Sequence, residues 1–461
     1  MTARIAIIGA GLAGCMAAGA LSQRNHVTLF EECRNCRSFD PIVDVGAPHR
    51  LTTVAGVGPG GTTKFWHNGL IVPRTTLFRD WPLRWADLEE HVDHTLQRLG
   101  GSGLRAYLTN QARGHDRMLA AGASENVLGP ALYYPSRRMN AYRTFVRRTA
   151  VHTRYVRISR ISQTQEAGWA LFGSADGEAQ LLGEYDAVII SAGGLRTPAL
   201  LSEGVLQMAG GGTSRALSNA GRHYEDHPSF FHGIGRLRVP VSQVWSISTQ
   251  SGAIRIPILE PGSDRFAIYI RPRWQDTAQV VSDKLGMTLS DLRNNPFNIN
   301  SIGRVISNPD DLIELLGIKL GVPPPGQLFS ALVVAESGAE GKISYDDEGR
   351  TIRKWLLPPT FVAALSEKVT SALTASGLVD DYKPYDISEM VVRSSAHHSG
   401  SSRMANSEDQ GVCNSACEVF GAENIFIAGG AVLAGTAYYN TGVLIGSLAF
   451  RLVDEICKRF R

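Results

Sequence analysis

The sequence predicts an α/β protein with an α+β insertion: a Rossmann-like nucleotide-binding domain interrupted by an antiparallel-sheet domain. Three observations carry this expectation. An apolar strand, Arg4 to Ile8, runs directly into a G-x-G-x-x-G turn. The chain from roughly 225 to 390 then alternates in the manner of half-buried strands. Finally, a strand followed by paired glycines returns at Asn424 to Gly430. The expected divisions are 1–224 for the first part of the nucleotide domain, 225–390 for the sheet domain and 391–461 for the returning C-terminal part.

The first strand leads into Gly9-Ala10-Gly11-Leu12-Ala13-Gly14 and a helix of small residues. In this context Gly9 makes the tight turn, Gly11 lets the backbone approach a pyrophosphate, and Gly14 lets helix and strand pack closely. Val27 to Phe30 reads as the second strand and ends in Glu31, the acid placed to hold ribose hydroxyls. No second G-x-G-x-x-G follows, so a separate nicotinamide domain is not expected and the resident dinucleotide is read as FAD.

A second glycine-rich loop spans Gly56 to Thr63, including Gly60, Gly61 and Thr62, and is followed by Lys64-Phe65-Trp66-His67-Asn68-Gly69. Such a loop brings backbone N–H groups and hydroxyls close to a flat ring or a phosphate. Asp80 to Glu90 opens a helix in which Asp87 is a cap or first-turn acid. Asp186 to Gly194 is a buried strand ending in the small-residue turn Ala192-Gly193-Gly194, and a helix is expected to start at Thr197-Pro198, with Pro198 at its first position. In the central region, strands are expected at Phe230–Val239, Val244–Ile258, Arg265–Arg273 and Phe329–Glu336, with a helix at Pro359–Ser376. The nucleotide-domain pattern returns in the strand ending at Gly429 and Gly430, and a last helix is expected from Thr441 to Ile456, capped by Asn440.

Composition narrows the possible functions. The 461-residue chain is 43% hydrophobic, ordinary for a globular enzyme, and its 46 basic and 43 acidic residues leave a net charge of +3, too small to imply a nucleic-acid partner. No apolar run approaches the roughly 20 residues of a membrane span. With the first strand starting so early, no signal peptide is expected, and the six cysteines are read as reduced thiols of a cytoplasmic protein. Cys33 and Cys36 stand in CxxC spacing and Cys413 and Cys417 lie four apart; four thiolates can hold a metal or a cluster, but the second spacing is loose, so ordinary free thiols are the reading and no metal site is expected.

Several motifs together resemble the glucose-methanol-choline (GMC) flavoprotein oxidoreductases. The family's dinucleotide turn is matched by Gly9 to Gly14 with Glu31, its flavin loop by Gly60-Gly61-Thr62-Thr63, and its central signature by Ser191-Ala192-Gly193-Gly194-Leu195-Arg196-Thr197-Pro198. Gly221 to Pro228 resembles the family's GRxxxDHP segment, and Ala396-His397-His398-Ser399-Gly400 its histidine segment, completed by Asn440. The resemblance implies FAD-dependent oxidation of a small-molecule alcohol, such as a sugar, polyol or secondary-metabolite hydroxyl, with His397 and Asn440 as the active-site pair. It further implies cofactor contacts from the two glycine loops, Ala192, Gly193, Gly429, Gly430 and Thr441. Phe65 stands where some relatives carry the histidine joined covalently to FAD, so a noncovalent cofactor is expected. Asn440-Thr441-Gly442 departs from the frequent Asn-Pro-Thr, and Ala434 replaces a proline.

The chemistry agrees with those roles. A hydroxyl-bearing carbon yields hydride more readily as its O–H proton is withdrawn, and a histidine with an unperturbed pKa of about 6.5 is mostly neutral near pH 7 and suits a base. Asn440 can donate to the same oxygen, and the helix after it can direct its positive dipole end toward the flavin. His67, Asn68 and His398 are secondary candidates for substrate contact, while His227, before Pro228, reads as a structural turn residue. Oxygen or another electron acceptor closes the cycle. The Arg137–Arg160 stretch, with eight arginines and no acid, is a solvated surface that also faces the flavin phosphates or, alternatively, a dock for an acidic protein partner. A lyase that retains FAD only as structure, or a flavin-containing scaffold, are the competing readings; reduction of the flavin by an alcohol separates them from the first.

Overall fold

The protein is described from a computed structural model, which covers residues 2–35, 37–38, 42–45, 55–66, 69–130, 132–133, 135, 139–174, 179–209, 214–240, 256–260, 262–263, 265–273, 326–337 and 341–461. At its centre five parallel strands lie in the order Ile425–Ile427, Ala187–Ile190, Arg4–Ile8, His26–Glu31 and His152–Tyr155. Ile5, Ala6, Ile7 and Ile8 are all buried, the uniform pattern of a parallel strand covered on both faces. The strand Ile425–Ile427, which follows the long stretch 191–424, joins in register with Ile189 opposite Phe426, so the last part of the chain completes the sheet begun by the first.

The helix Leu12–Leu21 packs on the C-terminal helix Gly442–Arg459, which in turn packs on Glu89–Gly100. The close approach at the first helix depends on Gly14. A Cβ there would lie 2.1 Å from the Gly9 carbonyl oxygen and 2.4 Å from Ser191 Oγ. Because the Gly9 backbone cannot yield cheaply, Gly14→Ala is expected to displace the helix start and abolish retention of FAD through gel filtration, measured by the flavin-to-protein absorbance ratio. A variant that keeps stoichiometric flavin would contradict this.

The antiparallel sheet runs in the order Ile256–Leu259, Phe266–Pro272, Leu328–Ala335, Pro228–Leu237 and Val379–Pro384, with Arg393–Ser394 also pairing with Pro228–Leu237. Side chains alternate between its two faces. Phe230, Ile268, Ile270, Phe329 and Val333 share a core with Val362, Val369 and Leu373 of the helix Phe361–Ala375. On the other face the register sets Tyr269 opposite Leu332 and Ser229 opposite Val334, and all four line a cavity. The expected strands match these elements to within a few residues, except that most of the strand expected at Val244–Ile258 lies outside the described residues; its end is Ile256–Leu259.

Two expected element starts move. The helix expected from Thr197 begins at Gly193 and holds Pro198 inside it. Proline cannot donate to the Gly194 carbonyl one turn back, but Ser401 Oγ donates to that carbonyl at 2.7 Å, so the acceptor is satisfied and the helix continues. Asp87 ends a short 3₁₀ turn, Trp85–Asp87, and accepts the Arg84 N–H at 2.9 Å before Glu89–Gly100 begins. Among the described residues no helix is long and apolar enough to cross a membrane, and no group of three or more His, Cys, Asp or Glu is placed to hold a metal ion. Cys413 and Cys417 are buried thiols, Cys33 is half-buried, and Cys36 lies outside the described residues.

His232, fully buried in the antiparallel sheet, sits between the Tyr382 hydroxyl and Ser366 Oγ. Burial pushes its imidazole down to about 4. The unfolded chain therefore binds the proton first as pH falls, and native stability is lost progressively from about pH 6.5 to about pH 4, by on the order of 3 kcal/mol. His232→Gln is expected to be less stable at pH 7 but to show a shallower loss across that window in urea titrations; an unchanged slope would refute the assignment.

Candidate active site

One cavity of about 660 Å³ runs from the dinucleotide turn to the antiparallel sheet, within the roughly 300–1,000 Å³ usual for small-molecule and cofactor sites. Its nucleotide end is walled by Gly9, Gly11 and Glu31, its middle by Gly61, Thr62, Ala192, Gly193, Gly429 and Gly430, and its far end by His397, His398, Asn440 and Thr441. Gly14 and Gly60 lie behind these walls and shape them. Gly60, at φ +94°, donates its N–H to the Ala10 carbonyl at 2.8 Å and so clamps the second glycine loop onto the first.

The residues suit a bound dinucleotide. Leu12–Leu21 follows Gly11 at its cap position, with no side-chain cap and no acid in its first turn, leaving its first amides for an anion at the cavity. Gly442–Arg459 likewise starts with no acid in its first turn, and its first residue, Gly442, lines the far end. Glu31, 8% exposed, accepts N–H groups from Ala10 at 2.9 Å and Glu32 at 2.8 Å. Burial pushes its carboxyl up and the backbone N–H groups pull it only partly back. Arg157, from the basic stretch, reaches the same end of the cavity.

The histidine loop is wedged in place at its backbone. The His398 carbonyl oxygen would lie 2.4 Å from a Cβ at Gly194 and 2.5 Å from one at Gly430, so only glycines let the loop seat between the two strand ends. Asp226, 1% exposed, is the second anchor: its Oδ1 accepts the N–H of His227 at 2.7 Å and of His397 at 3.0 Å, and its Oδ2 accepts the Ser394 hydroxyl. Burial raises the Asp226 carboxyl, but His398, the Ser394 bond, His397 and His227 outweigh it and hold it below the usual carboxylate range. His398 Nδ1 pairs with the Tyr224 hydroxyl at 2.7 Å, so this ring is held by a buried tyrosine as well as lining the cavity.

His397 faces the cavity half-buried, and its Nδ1 lies 2.8 Å from His227 Nδ1 with the two rings edge to face at 87°. His227, read from the sequence as a structural turn residue, is buried in this contact. Its sequence signals were its place before Pro228 and in the GRxxxDHP segment, neither of which names His397 as its partner; the contact spans 170 positions of chain. Arg393, two pairs along the same strand contact, and Tyr269 are further cavity residues that sequence motifs did not mark.

Asn440 lines the far end but does not cap the last helix. The cap position is Thr441, and Asn440 Nδ2 donates instead to the Gly69 carbonyl at 3.4 Å, because the helix starts one residue later than the periodicity implied. His67 and Asn68 lie outside the described residues. Within the basic stretch the helix is only Ala141–Phe145, so Arg143 lies on it and Arg147 and Arg148 fall beyond it. Arg154 donates to the Leu182 carbonyl, Arg160 covers the Phe172 ring, and Arg137 and Arg138 lie outside the described residues.

The resemblance read from the motifs is borne out by comparison with known proteins. Residues 362–449, which contain both His397 and Asn440, match the family described as GMC oxidoreductase. The same fold occurs in a pyridoxine 4-oxidase from Mesorbium loti (TM-score 0.61, 14% identity, 99% of each chain covered). It also occurs in a formate oxidase (TM-score 0.59, 14% identity, 99% of each chain). A third is a variant formate oxidase from Aspergillus oryzae studied for FAD modification (TM-score 0.60, 14% identity, 99% and 98% covered). No curated protein matches the sequence.

Proposed function

We propose that this chain is an FAD-dependent oxidoreductase that converts a small-molecule alcohol to its carbonyl, with His397 as the base. The observation that carries the reading is that His397 and Asn440 line the same cavity as the two glycine loops and the amide end of the first helix. Gly9, Gly11, Glu31, Gly61, Thr62, Ala192, Gly193, Gly429, Gly430 and Thr441 are the residues that would hold the dinucleotide. FAD supplies the hydride acceptor for the C–H electron pair when bound. Phe65, which lines the cavity, has no nucleophilic atom, which favours a noncovalent cofactor.

His397 takes the hydroxyl proton at the ring nitrogen turned away from His227, and Asn440 orients the alcohol oxygen by donating to it. The uncapped start of Gly442–Arg459 offers its positive dipole end to negative charge at the far end of the cavity. Tyr269, Leu332 and Val334 cover one side of the substrate space with largely apolar surface, and Arg393 adds a guanidinium. Anaerobic mixing of the FAD-loaded protein with sugars, polyols, aminocyclitols, aromatic alcohols, pyridoxine and formate tests this. Bleaching of the flavin band by one alcohol class is expected, followed by recovery on admitting oxygen or a quinone. A protein that binds FAD but is bleached by none of the alcohols overturns the reading.

A further inference from the structure

We propose that His227 and Thr436 are positioning residues that hold His397 in the one tautomer able to act as a base. The inference rests on His397 being the base of the reaction, and it begins with a line of three side chains joined by two contacts. His397 Nδ1 lies 2.8 Å from His227 Nδ1, and His227 Nε2 lies 2.7 Å from Thr436 Oγ1.

The line is built by backbone constraints. Pro228 pairs with Ser394 and Ser229 with Arg393, the Ser395 N–H donates to the His227 carbonyl at 2.9 Å, and one oxygen of Asp226 accepts the N–H of both histidines. His227 and Thr436 are each 1% exposed. The charged groups acting on His227 are His397 and Asp226; burial and His397 push its imidazole down to about 3, against a smaller opposing pull from Asp226. His227 is therefore a neutral ring with one donor and one acceptor nitrogen.

A neutral ring between two partners leaves two orientations of the line. In one, His227 Nδ1–H donates to His397 Nδ1, which places the proton of neutral His397 on Nε2 and removes the base. In the other, His397 Nδ1–H donates to His227 Nδ1, His227 Nε2–H donates to Thr436 Oγ1, and His397 Nε2 carries a lone pair. Only the second survives protonation of His397, because an imidazolium has two N–H donors and no acceptor. The same orientation thus serves the base before and after it takes the substrate proton, with no rearrangement of buried groups. His227 moves no proton itself and stays neutral throughout.

The tautomer can be read without any substrate. In FAD-loaded protein carrying ¹⁵N-labelled histidine, two-bond ¹H–¹⁵N spectra at pH 8, assigned with His397→Ala and His227→Ala, are expected to show the proton of His397 on Nδ1 and that of His227 on Nε2. The reverse pattern overturns the proposal. Thr436 supplies the second test. Thr436→Val keeps the side-chain shape but removes the acceptor, and is expected to move the His397 proton to Nε2 and to slow flavin reduction by at least tenfold, with unchanged affinity for the alcohol found to bleach the flavin. Thr436→Ser keeps the hydroxyl and is expected to stay near the parent rate. A packing role predicts the opposite order, with valine tolerated and serine impaired, and that order refutes the proposal. If no alcohol bleaches the flavin, the base assignment fails on its own account, while the spectra still decide the tautomer.

Discussion

His397→Ala is expected to slow reduction of the bound flavin by an alcohol about 10²- to 10⁴-fold, the range lost when a positioned general base is removed. The residue is half-buried at the cavity, and its backbone is held by Asp226 rather than by its own ring. Removing the imidazole should therefore leave the loop, the glycine walls and flavin binding in place. The informative comparison is the anaerobic reduction rate at saturating alcohol together with the flavin-to-protein ratio. Loss of rate at constant flavin content supports the base. A variant reduced as fast as the parent would remove His397 from the chemistry, and one that loses flavin would make it a structural residue of the cradle.

Asp226→Ala is expected to be the most destabilising single change near the site, costing about 3–5 kcal/mol in urea unfolding, as when two N–H donors each lose a buried acceptor at about 1–3 kcal/mol. The carboxylate accepts two backbone N–H groups and the Ser394 hydroxyl, and its Oδ2 stands 3.6 Å from His398 Nδ1 and 3.8 Å from Arg353 Nη1. Arg353, fully buried, keeps its bidentate pair with Asp44 at 2.6 and 3.0 Å, so the remaining cation is not stranded, but two buried N–H donors are. Asp226→Asn retains an acceptor for those donors and is expected to cost less. The pH dependence has a definite sign. Since the folded carboxyl is held below its ordinary value, its stabilisation is present above about pH 4, the unfolded value, and is lost as pH falls through the folded one. Equal stability of the alanine variant and the parent at pH 7 would show that the two N–H groups find other partners.

Local chemistry made much of this protein legible from its residues. The run Ile5 to Ile8 into Gly9, Gly11 and Gly14 has one low-energy reading, because apolar residues on both faces demand a covered parallel strand and the glycines permit the turn and close helix contact. The strands at Phe230, Phe266 and Phe329 were equally visible, as a period of two is a property of neighbours in sequence. Boundaries were less so. Pro198 seemed to mark a helix start, since nothing nearby announces that a serine 207 positions from the Gly194 carbonyl will satisfy the acceptor that proline leaves without a donor. Asn440 looked like a cap for the same reason: its partner, the Gly69 carbonyl, is 371 positions distant.

The residue types needed for the site, His397, Asn440 and the glycine loops, were set out by the sequence, because their roles follow from side-chain chemistry and from short spacings. Their gathering around one cavity was decided by the tertiary structure. Strand pairing between Pro228 and Ser394, and a single buried carboxylate holding two backbone N–H groups, bring His227 against His397. Motifs report what a residue can do within a few positions of itself. Which nitrogen of His397 carries its proton depends on a partner 170 positions away and on a hydroxyl beyond it, and only packing across the chain sets that distance.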